Sequence, residues 1–308
     1  MSKIAYIFPG QGSQYVGMGR ELCEKSPAAR EIFERADRCL GFPLSRICFE
    51  GPETELRQTR NTQPAIFLHS IACTMLLNGR EEVGMAAGHS LGEYTALVFS
   101  GAIGFEDGLR LVRLRGELMQ RAGEEQPGTM AAVVGCEPDT VVAVCDEASA
   151  AGVVQCANFN SPGQIVVSGS VAGVRRAMEL AKAKGAKLVK ELVVSGAFHS
   201  PLMQSARDGL REALARTSLH DAKIPVYANV TAKPVRAAGE IRTLLEQQLT
   251  SAVRWEESVR RMTADGATEY VEIGPGKVLQ GLVKRIDPAA AVRNIEKFED
   301  IQSSTGIS

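Results

Sequence analysis

The sequence has little net charge of either sign and no long apolar run. Its 308 residues include 35 lysines and arginines and 36 aspartates and glutamates, so the formal net charge is −1. Because the two signs are interspersed, we predict no basic surface that could neutralise a nucleic-acid backbone. No apolar stretch reaches the roughly 20 residues that cross a bilayer, and no secretory leader follows Met1. We therefore expect a cytoplasmic monomer without a nucleic-acid or membrane partner.

Cysteine pairs and nucleotide-binding loops are also missing. The seven cysteines are odd in number and form no C-x-x-C pair, which excludes a zinc ribbon, a dithiol redox motif and a disulfide framework. Tyr15 stands where a dinucleotide loop beginning at Gly10 needs its third glycine, and Val278 stands where a phosphate loop needs Ser or Thr. We expect neither a metal nor a cofactor, and a nicotinamide-dependent reductase is disfavoured.

Strand-like and helix-like periods alternate along most of the chain. This alternation predicts an α/β domain with a mainly parallel sheet. Between residues 125 and 195 the order changes to β-α-β-β-α-β, which is typical of a ferredoxin-like unit. We therefore predict a discontinuous large domain, residues 1–124 and 196–308, with a small domain inserted at 125–195 and a cleft between the two.

Two predicted element boundaries concern the site. The apolar period predicts a helix over residues 64–77, opened by Pro64. A strand is predicted over residues 153–157, followed by a turn over residues 160–163.

The strongest chemical signal is Gly88-His89-Ser90-Leu91-Gly92, a G-x-S-x-G pattern between a short strand and a helix. In a nucleophile elbow the glycines permit a strained turn that lifts the serine hydroxyl to the helix N-terminus. The amide of Leu91 could then face a developing oxyanion. The alternative is an ordinary strand-to-helix turn in which Ser90 only caps the helix.

A serine hydroxyl needs a general base, and the sequence has four histidines. His89 adjoins Ser90, so its side chain should point away from the hydroxyl. His69 lies within an apolar helix and His220 in a polar loop. His199 follows a strand, opens a helix and lies where the chain returns from the predicted insert. We therefore predict His199 as the base.

Two further features remain open on sequence grounds. The Gly10-Gln11-Gly12 segment could bring the Gln11 amide close to a tetrahedral intermediate, or it could be an ordinary βα turn. Arg115 shares a helix face with Leu111, Leu118 and Met119. A guanidinium on an apolar face needs an anionic partner, which could be a structural carboxylate or the carboxylate of a substrate.

Together these motifs resemble the malonyl-CoA:acyl carrier protein transacylase family over nearly the whole chain. The matching segments are Gly10-Gln11-Gly12-Ser13-Gln14, Gln63-Pro64, Gly88-His89-Ser90-Leu91-Gly92-Glu93, Arg113-Leu114-Arg115-Gly116, Asn158-Phe159-Asn160-Ser161-Pro162-Gly163, Gly196-Ala197-Phe198-His199-Ser200, Val230-Thr231-Ala232 and Glu272-Ile273-Gly274-Pro275-Gly276. The resemblance implies an α/β-hydrolase-like large domain with a ferredoxin-like insert.

The resemblance also implies roles for individual residues. Ser90 would be the nucleophile and His199 the base, with the amides of Gln11 and Leu91 as the oxyanion hole. Arg115 would bind the malonyl carboxylate. The other substrate-binding residues would be Gln63, Asn160, His89 and Gln248. A backbone carbonyl near Gln248, rather than a carboxylate, would orient His199.

The implied activity is transfer of malonyl from malonyl-CoA to the phosphopantetheine thiol of acyl carrier protein for fatty acid synthesis, by a ping-pong mechanism through a malonyl-serine ester. The substrates are malonyl-CoA and the carrier protein, and no cofactor is expected. Alternatives are a free-standing acyltransferase of a polyketide synthase or malonate decarboxylase system, a serine thioesterase or hydrolase, and a non-catalytic carrier-binding module.

Overall fold

The structure is a computed structural model that describes residues 3–77 and 82–305. The strands in this part of the chain are β1 (Lys3–Phe8), β2 (Val83–Gly88), β3 (Gly128–Val134), β4 (Val154–Ser161), β5 (Gln164–Ser170), β6 (Leu188–Glu191), β7 (Val226–Tyr227), β8 (Pro234–Val235), β9 (Ala267–Ile273) and β10 (Ala291–Ile295). The helices there are α1 (Arg20–Lys25), α2 (Pro27–Leu40), α3 (Leu44–Glu50), α4 (Glu53–Leu56), α5 (Thr59–Leu77), α6 (Gly92–Phe99), α7 (Phe105–Glu125), α8 (Pro138–Ala148), α9 (Val171–Ala183), α10 (Gln204–Arg216), α11 (Ala238–Gln248), α12 (Trp255–Ala264), α13 (Val278–Ile286) and α14 (Phe298–Thr305).

Six strands form a mainly parallel sheet in the order β10-β9-β1-β2-β7-β8, in which only the β7–β8 pair is antiparallel. Side chains of β1 alternate between two buried clusters: Tyr6 and Phe8 lie in one, and Ala5 and Ile7 in the other. Both faces of the sheet are therefore covered by helices, as a parallel sheet requires. Because parallel strands end at one edge, the loops after β1, β2 and β7 meet there.

Residues 128–191 form a second, antiparallel sheet in the order β4-β5-β3-β6. Helices α8 and α9 connect its strands, so the chain order is β-α-β-β-α-β, as predicted for a ferredoxin-like insert. This sheet has its own buried cluster, which includes Val133, Val144 and Val174. The exact limits of the small domain at 125 and 195 stay a prediction.

The start of α5 differs from the prediction. The helix begins at Thr59, and Pro64 lies inside it. A proline in a helix removes the hydrogen bond to the carbonyl four residues earlier. Here that carbonyl belongs to Arg60, and it accepts instead from Arg113 Nη1 at 3.0 Å. A side chain from a neighbouring helix thus supplies the missing donor.

The end of β4 also differs from the prediction. The strand continues to Ser161, with register shifts between Cys156 and Asn158 and between Phe159 and Ser161. Such bulges interrupt the alternation of side chains, so the period ends before the strand does. Asn158 and Asn160 consequently lie on a strand rather than in a turn. Helix α13, strand β10 and helix α14 lie beyond the last predicted element.

None of the helices in the described residues is both long and apolar enough to cross a membrane. Within the same residues, no group of three or more His, Cys, Asp and Glu side chains has an arrangement that could hold a metal ion.

Two glycines allow β1, β2 and α6 to meet closely. A Cβ at Gly88 would lie 1.8 Å from the carbonyl carbon of Gly92, and a Cβ at Gly92 would lie 2.1 Å from the carbonyl oxygen of Phe8. Both contacts involve backbone, which cannot rotate away. Helix α6 can therefore start directly against β1 only if residue 92 has no side chain.

We predict that Gly92→Ala lowers the free energy of unfolding by more than about 2 kcal/mol, because overpacking against backbone forces the chain to shift. Gly239→Ala is the matched control, since Gly239 also lies in the first turn of a helix and a Cβ there meets no atom within 4 Å. The control should be neutral or slightly stabilising. Urea unfolding compares the two variants, and equal effects would contradict the close approach.

Candidate active site

Ser90 occupies the turn between β2 and α6 with a φ of 50°. This left-handed conformation is unusual for a residue with a side chain and is typical of strained functional turns. Asn229, which follows β7, holds the turn from both sides. Its Oδ1 accepts from the Ser90 amide at 2.7 Å, and its Nδ2 donates to the Gly88 carbonyl at 2.7 Å.

His199 contacts the Ser90 hydroxyl directly. Its Nε2 lies 2.8 Å from Ser90 Oγ, and its Nδ1 lies 2.9 Å from the backbone carbonyl of Gln248. Because a carbonyl only accepts hydrogen bonds, Nδ1 carries the proton and Nε2 offers its lone pair to the hydroxyl. Residue 199 also has a positive φ, 57°, and Gln155 Nε2 donates to its carbonyl at 2.7 Å.

Burial, and then the charge of Arg115, lower the pKa of His199 to about 3. The imidazole is therefore neutral near pH 7 and available as a proton acceptor. The other histidines do not touch the hydroxyl. His69 is buried in α5 near Cys73, and burial lowers its pKa to about 4, while His220 is exposed beside Ser218.

Arg115 reaches the same hydroxyl from α7. Its Nη2 donates to Ser90 Oγ at 3.1 Å and to Gln248 Oε1 at 2.9 Å, and its Nη1 donates to Gln63 Oε1 at 2.8 Å. The guanidinium carbon lies 5.6 Å from the centre of the Tyr94 ring. Arg115 is only 1% exposed, and its Nε has no acceptor among the described residues.

No carboxylate of the described residues lies within salt-bridge distance of Arg115, although Arg110 and Arg113 on the same helix pair with Asp107 at 3.1 Å and Glu117 at 2.6 Å. Burial lowers the pKa of Arg115, but an arginine starts so high that it stays charged. Of the two partners left open by the sequence, a structural carboxylate is therefore not in contact. The arrangement leaves a buried cation able to receive an anion.

Two backbone amides, in the loops after β1 and β2, are the candidates for an oxyanion hole. The amides of Gln11 and Leu91 have no hydrogen-bond acceptor within the described part of the chain. A Cβ at Gly10 would lie 2.5 Å from the carbonyl oxygen of His89, so the loop after β1 packs directly on the elbow. Leu91 precedes the first residue of α6, where the helix dipole favours negative charge.

A cavity of about 290 Å³ opens onto Ser90 and His199. Its polar lining includes Gln11, His89 and Asn160, and His89 Nε2 lies 2.8 Å from Asn160 Oδ1. Its walls come from the loops after β1 and β2 and from helix α13 on one side, and from strands β3, β4 and β5 of the small sheet on the other. The apolar residues that line it are Met130, Val166, Leu192, Val194, Phe198, Val278, Leu279 and Leu282.

Gln63 and Gln248, which are expected to bind substrate, both contact Arg115. Their side-chain oxygens accept from the guanidinium and so hold it in place. Both residues are buried and, like Arg115 itself, are not among the residues that line the cavity. Their contact with a substrate stays a prediction.

Asn229 and Glu93 belong to the site but were not predicted as site residues. Glu93 Oε2 accepts from the amide of Asn229 at 3.1 Å and from Gln248 Nε2 at 2.7 Å. Glu93 is the last residue of one segment that carries the family resemblance, and Asn229 directly precedes another and follows a strand at the same sheet edge as Ser90. These positions along the chain were the only features of the sequence that pointed to the two residues.

Comparison with known proteins shows the family to which the chain belongs. The acyl transferase domain family matches residues 5–299. Malonyl CoA-acyl carrier protein transacylase from Bacillus subtilis (strain 168) is 48% identical over 292 residues, which cover 93% of this chain and 91% of the relative. The corresponding protein from Escherichia coli (strain K12) is 43% identical over 288 residues, 93% of each chain.

Solved structures agree as well. The crystal structure of acyl-carrier-protein-S-malonyltransferase from Bartonella henselae superimposes with a TM-score of 0.95 at 40% identity and covers 99% of both chains. The large parallel sheet with its ferredoxin-like insert is thus the fold of this family, as expected. From the match along the chain and the fold together, the protein belongs to the malonyl CoA-acyl carrier protein transacylases, within the acyl transferase domain family.

Proposed function

We propose that this protein transfers malonyl from malonyl-CoA to the phosphopantetheine thiol of acyl carrier protein. One observation carries the proposal: the buried, unpaired guanidinium of Arg115 lies 3.1 Å from the same Ser90 hydroxyl that His199 contacts at 2.8 Å. The nucleophile and the group that would bind a carboxylate therefore lie within hydrogen-bond distance of each other. An acyl group that itself carries a carboxylate, such as malonyl, fits both.

In the first half-reaction Ser90 Oγ attacks the thioester carbon while His199 Nε2 takes the hydroxyl proton. The oxyanion accepts from the amides of Gln11 and Leu91. The C–S bond then breaks, and CoA leaves as the thiol with the proton from His199. In the second half-reaction the carrier thiol gives its proton to His199 and attacks the malonyl-serine ester, and Ser90 Oγ leaves and is reprotonated. No atom changes oxidation state, so the proposal includes no cofactor.

The carrier protein as partner is supported by the names of the relatives. One structural neighbour, with a TM-score of 0.96 and 38% identity, is a malonyl-transacylase in complex with a type II PKS acyl-carrier protein, and the match covers 100% of each chain. We propose fatty acid synthesis as the pathway and a cytoplasmic monomer as the form of the protein. The largely apolar cavity wall favours transfer over hydrolysis, because water is a poor occupant of such a space.

Ser90→Ala is expected to abolish the covalent malonyl adduct while the protein stays folded, because no other hydroxyl of the described residues hydrogen-bonds His199 Nε2. Intact-mass measurement after incubation with malonyl-CoA detects the adduct, and peptide mapping locates it. Ser100→Ala is the control, since it removes a buried serine hydroxyl at the other end of α6, where Oγ bonds only the Leu97 carbonyl at 3.0 Å. An adduct that persists on Ser90→Ala would refute the assignment.

His199→Ala is expected to slow acylation by at least about 100-fold, the usual contribution of a positioned general base. Rapid-quench measurement of the first turnover reports this step. Because the pKa of His199 is lowered to about 3, wild-type acylation should show no loss of rate near pH 6.5 from protonation of this residue. His220→Ala, which changes an exposed loop, should acylate normally. A normal first turnover in His199→Ala would mean that another group is the base.

Arg115→Ala is expected to reduce malonyl transfer steeply and acetyl transfer much less, because only malonyl loses a charged partner. The malonyl-to-acetyl preference in kcat/KM should fall by at least about ten-fold. Arg110→Ala is the matched control on the same helix, since Arg110 is exposed and pairs with Asp107 at 3.1 Å. An equal loss for both donors in Arg115→Ala would indicate a purely structural residue.

A further inference from the structure

The buried cation Arg115 is linked to a buried carboxylate through a single amide group. Arg115 Nη2 donates to Gln248 Oε1 at 2.9 Å, and Nε2 of the same amide donates to Glu93 Oε2 at 2.7 Å. Glu93 and Gln248 are 2% and 0% exposed. Solvent therefore does little to screen the two charges from each other.

The hydrogen bonds around Glu93 suit its ionised form. Its Oε2 accepts from two donors, Gln248 Nε2 and the amide of Asn229. An ionised carboxylate only accepts hydrogen bonds, so it requires the nitrogen end of the Gln248 amide. The oxygen end is thereby directed at Arg115. The Ser90 carbonyl, which accepts from Gln248 Nε2 at 3.0 Å, requires the same orientation of the amide as Glu93 and Arg115 do.

The intervening amide also has a geometric consequence. A direct ion pair between arginine and a carboxylate is often bidentate and occupies two guanidinium nitrogens. Here Gln248 takes one hydrogen bond from Nη2, and the same nitrogen still reaches Ser90 Oγ at 3.1 Å. The guanidinium keeps a counter-charge nearby and remains open toward the nucleophile.

We propose that Glu93 is a specificity-determining residue that acts on Arg115 through Gln248, an inference that rests on the proposed function. Its negative charge partly offsets the positive charge of the guanidinium. A malonyl carboxylate at Arg115 is attracted by the arginine and repelled more weakly by Glu93. The site therefore binds the carboxylate less tightly than an isolated buried arginine would. Weaker binding of the carboxylate favours release of the malonyl-carrier product. Tighter binding that stabilised every bound state equally would not raise the rate of turnover.

The titratable groups around Glu93 allow its charge to be tested by pH. Burial raises the pKa of Glu93 to about 7. Arg115 faces it from α7 and Tyr94 adjoins it on α6, while Gln248 of α11 and Asn229 after β7 are uncharged. Burial raises the pKa of Tyr94 and lowers those of His199 and His89, which lie beyond Gln248 and Ser90. Of these groups, Glu93 has its pKa at about 7, while the pKa values of His199 and His89 are shifted down from that of an ordinary histidine and away from Glu93.

Glu93→Gln tests the proposal because it keeps the shape and an acceptor oxygen while it removes the charge. The malonyl-to-acetyl ratio of kcat/KM for acylation should rise at least about three-fold over wild type, as expected for loss of a buried charge near Arg115. The change should lie mainly in a lower KM for malonyl-CoA, which a merely structural residue would not produce. A ratio equal to or below that of wild type would overturn the proposal.

Glu272→Gln is the matched control. Glu272 is 0% exposed, and its carboxylate accepts from the amides of Leu279 at 3.0 Å and Gln280 at 2.7 Å, at the start of α13. It has no hydrogen bond to Arg115 or Gln248. Its substitution should leave the donor ratio at the wild-type value even if the unfolding temperature changes. A rise as large as that in Glu93→Gln would attribute the effect to any buried carboxylate and overturn the specific role.

A second measurement needs no variant at position 93 and so stands even if Glu93→Gln fails to fold. In wild type the malonyl-to-acetyl ratio should rise as pH falls from about 8 to about 6, because protonation neutralises Glu93. Ionisation of the CoA portion is common to both donors and cancels in the ratio. Glu272→Gln should show the same rise, and a flat ratio in wild type would overturn the proposal. A wild type that forms no malonyl adduct would instead refute the proposed function.

Discussion

The hydroxyl of Ser90 lies between two nitrogen atoms with opposite roles, and the site depends on this contact. Ser90 Oγ meets the lone pair of His199 Nε2 at 2.8 Å and accepts from Arg115 Nη2 at 3.1 Å. The three residues come from the turn after β2, the segment that returns from the small sheet, and α7. Because hydrogen bonds weaken steeply as their angle and distance change, all three segments must be placed to within a fraction of an ångström.

The surrounding structure holds two strained residues in place. Ser90 and His199 both have positive φ angles, which cost on the order of 1–3 kcal/mol each. Asn229 holds the backbone on either side of residue 90, and Gln155 of the small sheet holds the carbonyl of residue 199. The small sheet is joined to the large domain nearby, where the Phe159 amide donates to the Val253 carbonyl at 2.9 Å. The insert therefore supports the base as well as forming a wall of the cavity.

Charge is balanced within the site over short, unscreened distances. Burial, and then the charge of Arg115, lower the pKa of His199, and this keeps the imidazole neutral and able to accept a proton. The side chain of Gln248 separates Arg115 from Glu93, while its backbone carbonyl orients His199. One residue on α11 thus contacts the cation, the carboxylate and the base. The proposed selectivity for an acidic acyl group and the proposed role of His199 as a base therefore both depend on the charge of Arg115.

The sequence by itself determined the fold class and the turn that carries Ser90, and it predicted Ser90, His199 and Arg115, which the structure brings into contact. The order β-α-β-β-α-β and the glycines at 88 and 92 are local patterns. The periodicity of the sequence and the steric limits of the backbone are enough to predict them. Helical spacing likewise placed Arg115 on an apolar face. The tertiary structure alone decided what Arg115 contacts, how far β4 extends, and that Asn229 and Glu93 belong to the site. Asn229 is 139 residues from Ser90 and Gln248 is 155 residues from Glu93. Such pairings arise only when the sheet brings strand ends together, and no period along the chain encodes them.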